Sequence, residues 1–149
     1  MSFKEKVHAA FVQLQSDKIT ELKNVIADLS YSAANETKST AGDKHETALA
    51  HLQTSIRQAN QQLQELNNQY NLLTSIPASG NHSQIGHGSL VTTDKNIFYI
   101  SAAIGKISIE EKTVYAMSPS SPLALKMNAK KEQDRVEMNG IVHLIKKVT

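Results

Sequence analysis

At 149 residues the chain is about one domain long, and 16 basic against 14 acidic side chains leave a net charge of +2, far from a polyelectrolyte arm. Aromatic residues make up 5% and tryptophan is absent, so the core is expected to be aliphatic, without a stacking platform for bases. The lack of cysteine removes disulfides, thiolate zinc sites and every cysteine-nucleophile mechanism.

The opening residues 1–11 scatter charges among apolar side chains and contain no secretory h-region. No apolar run approaches the roughly 20 residues needed to cross a bilayer. A cytoplasmic protein without a membrane partner is expected. Residues 3–33 then carry Val7, Phe11, Leu14, Ile19, Leu22, Ile26, Leu29 and Ala33 at steps of three and four, broken once by the five-residue step from Leu14 to Ile19. This predicts a long helix with one apolar stripe. Residues 30–42 are rich in Ser, Ala, Thr and Asn, with Gly42 and Asp43 placed for a stop and restart.

A second seam follows at Leu49, Leu52, Ile56, Ala59, Leu63, Leu66, Tyr70 and Leu73. The positions between are mostly Gln, Asn, Ser and Thr, so this helix needs a partner to cover its stripe. Two antiparallel helices of about 28 residues, each roughly 42 Å long, are predicted.

Pro77, Gly80, Gly86 and Gly88 mark a linker at 76–87. The charge changes there: residues 1–75 carry 7 basic and 8 acidic groups, net −1, and residues 76–149 carry 9 and 6, net +3. Beyond it the period becomes two, in short strands at 89–93, 97–100, 106–109, 113–116, 135–138 and 141–145. Asn139-Gly140 is a hairpin signal. Pro122 opens a short helix that buries Leu123 and Met127. The class is α+β: an antiparallel α-helical coiled-coil hairpin (1–75), a linker (76–87) and a small antiparallel β-sheet domain with one short helix (88–149).

Two stretches carry a family resemblance. Ser118-Pro119-Ser120-Ser121-Pro122-Leu123, followed by Lys130-Lys131 and Asp134-Arg135-Val136, resembles the SPxSPL…GKKxGDxV signature of Gre-type transcript cleavage factors, with Ala129 and Gln133 where that family has glycines. Gly42-Asp43-Lys44-His45-Glu46-Thr47-Ala48 resembles the family's tip, G-D-L-x-E-N-A-E-Y, with Thr47, Leu49 and Ala50 among its departures. The order of hairpin, linker and sheet matches as well.

The resemblance implies an FKBP-like C-terminal domain that docks on bacterial RNA polymerase through Ser118, Pro119, Ser120, Ser121, Pro122 and Leu123. It implies a hairpin that enters the polymerase's secondary channel as a monomer and reaches the nascent RNA 3′ end. Asp43 and Glu46, near 36–46, would there ligate a Mg²⁺ shared with the polymerase and stimulate its RNA hydrolysis. The chain would bind no cofactor alone and would not itself be an enzyme.

Other readings of the same residues stay open. Asp43 and Glu46, three apart at a helix start, are also what a capping arrangement uses. Glu36 suits a solvated surface, and His45 could be solvated or assist proton transfer. His82 and His87 lack a third ligand for zinc. Lys18, Lys23, Lys38, Lys44 and Arg57 could meet RNA phosphate, and Lys126, Lys130, Lys131, Lys146 and Lys147 an acidic partner, or either set could serve solubility. Occupying the channel without cleavage, a dimerising coiled-coil adaptor, and a peptidyl-prolyl isomerase are the alternative functions.

Overall fold

The computed structural model describes residues 1–36 and 42–149, and of residues 36 and 42–45 the backbone. The class is α+β. The elements in chain order are α1 (Phe3–Glu36), α2 (Gly42–Thr74), β1 (Leu90–Thr93), β2 (Ile97–Ile100), β3 (Gly105–Ile109), β4 (Lys112–Met117), α3 (Pro122–Met127), β5 (Arg135–Met138) and β6 (Ile141–Val148).

Helix α1 starts where Ser2 and Glu5 cap each other. The Glu5 amide donates to Ser2 Oγ at 3.2 Å, while the Ser2 hydroxyl and amide donate to Glu5 Oε1 at 3.1 and 3.4 Å. Every expected stripe residue of both helices is buried or half-buried. The break between Leu14 and Ile19 is filled by Gln15, buried on the stripe, whose Nε2 donates to the Leu66 carbonyl at 3.0 Å. Early residues of α1 meet late residues of α2, so the helices run antiparallel.

The chain forms two compact units, Met1–Leu14 with Gln69–Thr149, and Gln15–Asn68. This grouping follows contacts in space, so the first turns of α1 and the last of α2 fall with the sheet, where a division by chain order puts all of 1–75 together. The second unit is the paired helices alone, with Ile19 and Ala59 buried between them.

In the first unit six strands form one sheet in the order β3-β4-β2-β1-β6-β5. Strands β1–β2, β3–β4, β5–β6 and β1–β6 pair antiparallel. Strand β2 pairs parallel with β4, where the sequence reading expected antiparallel pairing throughout. The reason is the connection at 101–104. It buries Ala102 and Ile104 and carries the chain outward to β3, leaving β4 to return beside β2. Period two identifies strands but not the neighbour each will take.

Strand β6 runs three residues beyond the expected Ile145. Thr92 faces Lys147 while Thr93 faces Ile145, so Lys146 is an extra residue in a bulge. The bulge explains why His143, Ile145 and Val148 are all buried although the last falls out of phase. At the β5–β6 turn Asn139 and Gly140 have φ of 52° and 78°, as a two-residue hairpin of the primed type requires.

Each face of the sheet has its own core. Leu90, Tyr99, Val114 and Ala116 pack with Val7, Phe11 and Leu73 from the helices. Their strand neighbours Val91, Phe98 and Ile100 point the other way and pack with Val136, Ile145 and the α3 residues Ala124 and Met127. The Phe11 ring stacks on Tyr99 with centroids 6.1 Å apart. Tyr99, fully buried, sets its hydroxyl 2.7 Å from His8 Nδ1.

Burial pushes the Tyr99 hydroxyl up to about 12, so the tyrosine stays neutral in its hydrogen bond with His8. Burial, and then the Lys4 ammonium, hold both His8 and His82 below the ordinary 6.5. These imidazoles take up protons more readily in the unfolded chain.

Phe11→Ala is expected to cost about 3–5 kcal/mol in urea denaturation. Stability should fall as pH drops below about 6.5, because the unfolded histidines bind protons first. His8→Gln should flatten that loss. Stability should fall again between pH 10 and about 12 as unfolded Tyr99 ionises, and Tyr99→Phe should remove this second loss.

Candidate functional site

Positions 43 and 46 lie in the first turns of α2, directly after the connection from α1. Three residues apart in one helix, they share a face. Glu46 is exposed. The side chains of Glu36, Asp43, Lys44 and His45 and the whole of Lys38 lie outside the described residues. Among the described residues no group of three or more His, Asp or Glu could hold a metal.

Two carboxylates on one helix face are within what Mg²⁺ takes, one or two carboxylates with waters and phosphate oxygens completing its six ligands. Thr47 is exposed, whereas Leu49, a departure from the family motif, is half-buried on the stripe.

The segment 118–123 has a full local account. Ser118 and Ser120 share a hydroxyl hydrogen bond of 2.8 Å, the Ser120 amide donates to Ser118 Oγ at 3.2 Å, and the Ser121 amide donates to the Ser118 carbonyl at 3.0 Å. Ser121 caps α3, its Oγ accepting from the Ala124 amide at 3.3 Å. Pro122 occupies the first turn, where its missing N–H costs nothing. Leu123 packs on the second core. Ser120, Pro122 and Leu125, the last 62% exposed, are left facing solvent.

The loop after α3 shows why glycines would suit it. Ala129 and Gln133 have φ of 64° and 78°, the left-handed region that favours glycine, and they are the two positions where this chain departs from the Gre-type pattern. The conformation is held by backbone bonds. The Ala129 amide donates to the Ile85 carbonyl, the Ile85 amide to the Lys130 carbonyl, and the Gln133 amide to the Ile145 carbonyl, each at 2.8 Å. Asp134 closes the turn, its carboxylate accepting from the Lys131 amide at 3.0 Å.

Of the basic residues, Lys126 donates to the Glu137 carbonyl at 3.0 Å and ties α3 to β5. Lys130, Lys131, Lys146 and Lys147 are exposed, as are Lys23 and Arg57, while Lys18 is half-buried. His82 is half-buried and His87 exposed. The sequence reading missed Lys4, Gln15 and His143, all buried. Lys4 stands three residues before Val7, and Gln15 four after Phe11 and four before Ile19, in the series 4, 7, 11, 15, 19, a spacing that would have marked these two.

No family model matches the chain, and no curated protein matches it. Among solved structures, a crystal structure of the GreA factor homolog 1 (Gfh1) protein of Thermus thermophilus is similar over 97% of this chain and 94% of that one, at 11% identity and a TM-score of 0.35. A likeness at that level carries no functional conclusion.

Ser121→Ala should lower stability by about 1 kcal/mol through loss of the cap. Ala129→Gly should leave stability unchanged or raise it by up to about 1 kcal/mol, relief of the left-handed backbone offsetting the added freedom of the unfolded chain. Urea denaturation checks both.

Proposed function

We propose that this chain is a Gre-like elongation factor. Its helical hairpin enters the secondary channel of bacterial RNA polymerase and stimulates cleavage of backtracked RNA. The observation that carries the reading is the acid pair of the Gly42-Asp43-x-x-Glu46 motif, set three apart on the first turns of α2 where the chain has just turned back from α1. Further support comes from the loop at 129–134, where glycine-favouring backbone stands at the two positions that depart from the family signature.

In this reading Asp43 and Glu46 bring carboxylate oxygens to the polymerase's active centre and orient the attacking water near the RNA 3′ end. A Mg²⁺ held there jointly with the polymerase supplies Lewis-acid polarisation of the scissile phosphodiester. The chain performs no chemistry alone. The sheet unit docks on the polymerase through the solvent-facing residues of 118–123.

A second reading, channel occupancy without cleavage, is favoured by Leu49, which stands on the apolar stripe where the family motif has an acid. The dimerising adaptor is disfavoured, because the stripe it would use is already buried or half-buried within one chain. In a backtracked complex with Mg²⁺, the wild-type protein is expected to accelerate RNA shortening, and Asp43→Asn with Glu46→Gln to reduce that acceleration at least about tenfold while still binding. Binding without acceleration by the wild type would establish the second reading instead.

A further inference from the structure

Lys4 is 5% exposed, an unusual place for an ammonium. Its Nζ donates to the Gly80 carbonyl at 2.7 Å, and no carboxylate among the described residues pairs with it. An ammonium has three N–H donors, so two are left without an acceptor among the described residues. Burial also lowers its proton affinity, as it does for any cation without a counterion.

Lys4 lines a cleft of about 630 Å³ within the sheet-containing unit, together with Phe3, Ile97, Glu110, Lys112 and Lys147. The two acids at this cleft are already engaged. Glu110 pairs with Lys6 at 2.6 Å, and Glu5 accepts from Ser2 at the start of α1. Lys112 lies 5.1 Å from the centre of the Phe3 ring, and Lys147 is exposed without an ion pair among the described residues. Three lysines thus line one cavity whose acidic side chains are hydrogen-bonded elsewhere, beside Phe3 and Ile97.

We propose that this cleft binds a small organic phosphate, its phosphoryl oxygens on Lys4, Lys112 and Lys147 and its apolar part against Phe3 and Ile97. A phosphate monoester carries up to two charges and several acceptor oxygens, enough to meet more than one ammonium. A carboxylate carries one charge. Lysine serves such a group as a point charge, without the planar match an arginine needs. Binding requires no polymerase and is independent of the acid pair on α2.

Calorimetric titration of the full chain with phenyl phosphate at pH 7.5, with benzoate in a parallel titration, tests this. Saturable binding of phenyl phosphate is expected, with benzoate at least about tenfold weaker, and Lys4→Met is expected to weaken phosphate binding by about tenfold or more. Lys147→Gln, which alters an exposed side chain, should weaken it several-fold and keeps the test available if Lys4→Met does not fold. Lys130→Gln, outside the cleft, should leave it unchanged. In the wild type, NMR titration of the lysine side chains should show the Lys4 pKa rising when phenyl phosphate is bound. Absence of saturable binding, equal affinity for benzoate, or full affinity in Lys147→Gln would overturn the proposal.

Discussion

The packing of Phe11 and Leu73 against Tyr99 is the contact on which the first unit depends. Phe11 belongs to α1, Leu73 to α2 and Tyr99 to β2, so one cluster joins three separated parts of the chain in a single core. None of the three exposes any surface. The aromatic content of 5% makes this concentration of rings consequential. Burying a large ring contributes several times what an aliphatic methylene does, and a chain with few rings has no surplus with which to replace one.

The same cluster sets the polar features around it. Tyr99 must give its hydroxyl a partner once its ring is buried, and His8, one turn before Phe11, provides Nδ1 at 2.7 Å. One turn earlier, Lys4 falls on the same helical face and is drawn out of water with it. The series 4, 8, 11 on α1 therefore converts a requirement of the core into a buried cation near the linker, and burial first, then that cation, depresses the proton affinity of His8 and His82.

Much of the fold was legible because its periods are long and clean. The two stripes, from Val7 to Ala33 and from Leu49 to Leu73, could be read residue by residue, and the one irregular step at Leu14 was a polar residue, Gln15, taking a core position. Asn139-Gly140 announced its turn. What stayed hidden needs knowledge of neighbours. The parallel β2–β4 pairing depends on a connection four residues long, and the bulge at Lys146 breaks the alternation that would have extended β6. Glu110 and Glu111 form a left-handed turn, φ 50° and 64°, with side chains that do not advertise one. For the candidate site, local sequence accounted for Pro122 in the first turn of α3 but did not show Ser121 as its cap, and the role proposed for Asp43 and Glu46 rests on a partner that no period or spacing within one chain encodes.

The proposed function turns on whether the two acids on α2 complete a metal site that belongs mostly to another protein. The most direct measurement is a Mg²⁺ titration of transcript cleavage in a backtracked complex, with and without the protein. Carboxylates lent to the ion predict that half-maximal cleavage shifts to several-fold lower Mg²⁺ when the protein is present, and that Asp43→Asn abolishes the shift. An unchanged Mg²⁺ requirement, at a protein concentration that saturates the polymerase, would contradict it.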